Sequence, residues 1–170
     1  GVHQKVGFIY NTETVTVTDT KVLLESIHPY YNGGDTSALT DYPSEPDRFY
    51  ASGRLPFLMT ADITINGETE TYDFVALHAR ANGSSDAQLR YDMRKYDVEV
   101  LKDSLDVYYA DRNLILLGDY NDDVDVTVAD ITSTTVSSYE NYVNDAANYS
   151  VFTATLSENG FRSYVFEQDM

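Results

Sequence analysis

The chain has 170 residues, 42 % of them hydrophobic, enough for one compact domain with a buried core. No run approaches the roughly 18 consecutive apolar residues of a membrane-spanning helix, and the absence of cysteine excludes disulfides and thiolate metal sites. A formal charge of −17 repels polyanions and argues against a passive basic surface for nucleic acid, although a divalent cation held by carboxylates can invert that field locally.

In chain order, the start "GVHQKVGFIY" has neither the basic leader nor the small-residue cleavage site of a signal peptide. It begins without methionine and enters a strand-like run at once, so a cut from a longer protein is expected, with Gly1 a remnant. The apolar run at 6–10 and the alternation of Val15 and Val17 with threonines predict a strand pair around a turn at 11–13. Residues 29–53 mix three prolines and three glycines with scattered acids and predict a long surface loop. "RLPFLMTADITI" and "TYDFVALHA" flank Asn66-Gly67, the signal of a two-strand hairpin.

A helix is predicted next, because Leu89, Met93, Tyr96, Val100, Leu101, Leu105 and Tyr108 recur at steps of three and four, with Ser85 and Gln88 as a capping box. "NLILLG" is too short for a helix and predicts a strand buried on both faces. Beyond Asp130 a short helix through "YENYVNDAA" and strands near Val151 and Tyr164 are expected.

Two apolar strands thus end in polar groups. One runs into Gly118, Asp119 and Asn121, the other into His78 with Arg80 and Asn82 beyond it. If the two strands are neighbours joined by the helix, His78 and Asp119 converge at the carboxyl ends, where covered sheets place their sites. Arg54, just ahead of a strand, is a candidate phosphate clamp, since guanidinium pairs with phosphate in bidentate fashion. The bland alternatives are a turn rich in Gly, Asp and Asn, a hydrogen-bonded histidine and a solvated arginine.

With "QKVGFIYNTETV", "GRLPFLMTADI", "FVALHARAN" and "LILLGDYND" in this order, the chain resembles the endonuclease/exonuclease/phosphatase family, which includes pancreatic-type deoxyribonuclease and sphingomyelinases. The resemblance implies an α+β fold, a four-layer α/β/β/α sandwich, and metal-dependent hydrolysis of phosphate esters with Mg2+ (or Mn2+ or Ca2+). By matching position it implies that Asp119 activates the attacking water or binds the metal. Asn121 would position that aspartate or bind phosphate, His78 would stabilise phosphoryl charge, and Arg54 and Asn82 would contact the phosphate. The family's earlier metal-binding glutamate and its final aspartate-histidine pair have no counterpart here. Residues 1–170 are therefore expected to be a partial domain lacking its N-terminal and C-terminal strands, inactive or nearly so when isolated. The expected substrate is DNA or another phosphodiester.

Two rivals stand beside this reading. "DYNDDVDVTVAD" carries oxygens at positions one, three, five, seven, nine and twelve from Asp119, as in a dockerin or EF-hand calcium loop, although Val124 stands where that loop turns on glycine. A non-catalytic interaction module of the same fold is the other, with Tyr30, Tyr31, Tyr42 and Tyr50 as a possible adhesive face. Missing cysteine fits either redox compartment, and the acidic surface favours an extracellular or periplasmic bacterial protein over a cytoplasmic one.

Overall fold

A computed structural model describes residues 6–31 and 33–161. Its centre is a four-stranded mixed sheet in the order β1-β2-β3-β4, from Val15–Val22, Phe57–Ile65, Glu68–His78 and Leu114–Asp119. The first three strands are antiparallel neighbours and β3 and β4 are parallel, a mixed sheet consistent with the α+β expectation. The β2–β3 hairpin turns at Asn66 and Gly67, both with positive φ (54° and 85°), the geometry that a two-residue loop demands.

Parallel pairing needs a crossover, and the helix α2 (Ala87–Tyr108) supplies it between β3 and β4. Its Val98, Leu101 and Leu105 pack with Leu58, Val75 and Leu77 of the sheet into the main core, with Leu114 and Leu116 against its margin. The buried stripe of α2 also includes Arg94, Asp97 and Lys102, whereas Tyr108, predicted to be on the apolar face, is 73 % exposed. Asp86, not Ser85, occupies the N-cap and makes no side-chain cap bond; its carboxylate pairs with Arg90 at 2.5 Å instead.

Other expectations are corrected in the same way. Residues 6–10 form no strand; Phe8 instead lays its ring against Phe57 and Phe74, with centroids 6.0 and 6.3 Å apart. The segment 29–53 is not a surface loop throughout, because Leu39, Phe49, Tyr50 and Ala51 are buried within it. Of its tyrosines, Tyr50 is enclosed, Tyr31 packs on His28 and Tyr42 on Phe49 and Tyr96, whereas Tyr30, also beside His28, is 66 % exposed.

β4 lies at the edge of the sheet among the described residues and is not buried on both faces, since Leu117 is 39 % exposed. Its even-numbered leucines face α2, while Ile115 and Leu117 point to the other side, so one apolar run serves two differently covered faces. The short helix appears as α3 (Glu140–Val143). Near Val151 the chain turns into α4 (Ala154–Glu158) rather than a strand, and Tyr164 lies outside the described residues. No described helix is long and apolar enough to cross a membrane.

Helix α2 and the loop after β4 are tied together by one buried ion pair. Arg94 Nη2 lies 3.1 Å from Asp122 Oδ2, both side chains wholly excluded from solvent. Arg94 also donates to Ser138 Oγ (2.9 Å), Arg80 O (3.0 Å) and Asn82 Oδ1 (2.9 Å). Asp122 in turn accepts from the Val128 and Ser138 amides and from the Thr127 and Ser138 hydroxyls. Burial pushes its carboxyl up, but the Ser138 bonds and the Arg94 charge outweigh that and hold it below the usual value. Arg94→Met leaves Asp122 buried without a counter-charge and is expected to lower stability by roughly 3–5 kcal/mol, read as a shift in urea midpoint. The double variant R94M/D122N should recover part of the loss, because a neutral amide needs no counter-charge.

Candidate active site

The parallel register sets His78 directly opposite Asp119 at the carboxyl ends of β3 and β4. The imidazole Nε2 lies 3.7 Å from Asp119 Oδ2, and the Asp119 side chain is 61 % exposed, open to a ligand. Gly118 makes this approach possible. Its φ is 139°, and a Cβ there would stand 2.0 Å from the Leu77 carbonyl oxygen, so any side chain would push the two strands apart.

Asn121 follows in a left-handed conformation (φ 51°), which asparagine tolerates better than most residues. Its amide N–H donates to Asp119 Oδ1 at 3.1 Å, and its side-chain Nδ2 donates to Ala79 O at 3.1 Å, fastening the loop after β4 to the end of β3. Asn82 continues the link by donating from Nδ2 to Asn121 O (3.1 Å) while its Oδ1 accepts from Arg94. Both ends of the Asn82 amide are therefore engaged within the protein.

Arg54 reaches the same rim from the other side: its Nη1 is 3.4 Å from His78 Nε2. It is not the solvated arginine of the bland alternative. Partial burial and the nearby charge of Arg80 hold its guanidinium below the usual value, with Asp119 opposing. A cation, an imidazole and a carboxylate thus converge, and all of the sequence-predicted site residues fall within this one cluster of loops and strand ends.

Arg54 is carried there by a left-handed turn, α1 (Phe49–Gly53), in which Tyr50, Ala51 and Ser52 have φ of 42°, 54° and 62°. Three consecutive non-glycine residues in this region are strained, at about 1–2 kcal/mol each, so the surroundings must hold them. Asp97 Oδ1 accepts the Tyr50 N–H at 2.9 Å and Oδ2 accepts the Ala51 N–H at 3.2 Å. His28 Nε2 bonds Phe49 O at 3.2 Å, the Tyr31 hydroxyl donates to Gly53 O at 3.2 Å, and Arg80 Nη2 donates to Arg48 O. Because His28 Nδ1 accepts from the Tyr30 N–H, its proton is on Nε2, and burial pushes the imidazole down from its ordinary pKa.

Sequence reasoning did not single out Asp97, Arg94, His28 or Asp122 for these parts. A signal existed for two of them: positions 94 and 97 are in phase with Val98, Leu101 and Leu105, so two charges stand on a buried stripe.

Among the described residues no three histidine or acidic side chains gather closely enough to hold a metal ion by themselves. Asp119 fits as one ligand of a Mg2+ site, since that ion is commonly held by one or two carboxylates together with water and substrate phosphate. In the rival calcium loop, Asp119 faces His78, the Thr127 hydroxyl donates to Asp122, and Asp123 and Asp125 accept the Ser157 hydroxyl at 2.7 and 2.9 Å. A separate apolar groove of about 850 Å3 runs off the β4 edge between Leu114–Gly118 and 149–153; it does not include His78, Asp119 or Arg54. Comparison with protein-family models, curated proteins and solved structures finds no match to this chain.

Two outcomes follow from this geometry. Gly118→Ala should destabilise the chain by about 1–3 kcal/mol and shift the Asp119 amide resonance, whereas Gly67→Asn, in an open turn, should leave it in place. Burial pushes the Asp97 carboxyl up to about 7, against the Tyr50 and Ala51 hydrogen bonds and the charges of Arg80 and Arg94. Its folded-state value lies above its unfolded one, so its stabilising contribution is complete below about pH 4 and is lost as pH rises through about 7. The urea midpoint of the wild type should therefore fall relative to that of Asp97→Asn as pH rises across that window.

Proposed function

We propose that the chain is the histidine-aspartate portion of a metal-dependent phosphodiesterase, most simply a nuclease. The observation that carries this reading is the in-register opposition of His78 and Asp119 at the carboxyl ends of parallel strands, 3.7 Å apart, with Arg54 3.4 Å from the same imidazole nitrogen. In this assignment Asp119 accepts the proton of the attacking water or contacts the metal, and the Asn121 backbone holds that carboxylate in place. His78 and Arg54 stabilise charge on the phosphoryl oxygens, and Asn82 steadies the loop that bears Asn121. A bound Mg2+ would neutralise phosphate charge and orient the ester. The net charge of −17 makes such local positive groups necessary for any anionic substrate.

The four-layer sandwich belongs to the same proposal. The apolar outward side of β4, with Ile115 half-buried and Leu117 exposed, suits a second sheet packed there, and this chain would then be a partial domain. An extracellular or periplasmic bacterial setting completes the reading.

Plasmid DNA, sphingomyelin and inositol phosphates offered with Mg2+ provide the test, using both the 170-residue chain and a protein carrying its flanking segments. The longer protein should nick DNA, and His78→Ala or Asp119→Ala should lower kcat/KM by roughly 10²–10⁴-fold; the isolated chain should show little turnover. Intact DNA with another ester hydrolysed would retire the nuclease assignment, and no hydrolysis of any ester would retire the phosphoesterase.

A further inference from the structure

We propose that Asp97 is a positioning residue: by accepting the Tyr50 and Ala51 N–H groups it holds the left-handed turn α1 so that Arg54 is delivered to the His78–Asp119 rim, where it meets the anionic oxygens of a phosphate ester. The ligand in this statement rests on the phosphoesterase reading, whereas the placement of Arg54 rests on geometry alone.

Four observations lead there. The turn lies out of water, with Phe49, Tyr50 and Ala51 at 0, 1 and 5 % exposure, so its polar backbone groups must be satisfied from within. Asp97, itself 3 % exposed, is the acceptor for two successive N–H groups of the strained residues. The Arg54 amide donates to Tyr50 O at 3.0 Å, so the residue that follows the turn is bonded to the residue that Asp97 holds. Finally, the guanidinium ends 3.4 Å from the imidazole of the proposed site. Strain confined to a buried segment and countered by a buried carboxylate is a pattern found where a side chain must be aimed. A neutral structural role could be filled by an apolar turn without left-handed residues.

The test uses the isotopically labelled 170-residue chain with two readouts: the ring resonances of His78, which sense the adjacent guanidinium, and titration with inorganic phosphate. In Asp97→Asn the Asn side chain can accept only one of the two N–H groups. This variant should move the His78 ring resonances in the same direction as Arg54→Gln and weaken phosphate binding roughly tenfold, as Arg54→Gln does. The double variant D97N/R54Q should bind no more weakly than R54Q alone. Adding Ala51→Gly and Ser52→Gly to D97N, which removes the left-handed penalty, should bring both readouts back toward wild type. Asp73→Asn is the control: Asp73 is a buried carboxylate held by Thr60 and Arg112 opposite the start of β4, and its variant should lower stability without moving His78. His78 resonances unchanged in D97N, or displaced equally in D73N, would overturn the proposal. A wild-type chain that ignores phosphate would count against the phosphoesterase reading, and the ring resonances would still decide the part played by Asp97.

Discussion

The buried pair Arg94–Asp122 is the constraint on which the rest depends. One guanidinium on α2 simultaneously engages the carbonyl of Arg80, the amide of Asn82, the hydroxyl of Ser138 and the carboxylate of Asp122. Those partners belong to the β3–α2 link, the loop after β4 and the turn before α3, so three chain segments share one fixed point. A charge wholly out of water tolerates few arrangements, because each lost partner leaves an expensive group unsatisfied. The loop bearing Asn121 is held by that demand from one side and by β3 from the other.

The rim at the strand ends is thus rigid in its backbone and open in its chemistry. His78, Asp119 and Arg54 bring an imidazole, a carboxylate and a guanidinium to one small area, while Asn121 and Asn82 serve the framework. The two halves are supported independently. Asp119 depends on the close strand approach allowed by Gly118, and Arg54 depends on the strained turn above Asp97.

The sequence disclosed the parts of this arrangement that have short-range causes. Asn66-Gly67 announced the hairpin, the three-and-four spacing announced α2, and a strand on each side of that helix implied parallel neighbours with His78 and Asp119 at the same end. What it hid depends on tertiary neighbours. Nothing local distinguishes Tyr50 and Ala51 as left-handed and buried, since the reason is a carboxylate 46 or 47 positions later. Four consecutive aliphatics read the same whether both faces of a strand are covered or only one, so the pattern predicts a strand inside a sheet, whereas β4 lies at the edge among the described residues. The run containing Phe8 reads as a strand because an apolar run that merely leans on a sheet has the same composition as one that pairs with it.

The parallel pairing of β3 and β4 bears on how the rim comes into being. A hairpin such as β2–β3 closes across a two-residue turn, whereas pairing β3 with β4 closes a loop that contains the whole of α2, at a larger cost in chain entropy. His78 and Asp119 therefore become neighbours only through that non-local pairing. No local segment can assemble the pair in advance, and their proximity reports that the chain has reached its native topology.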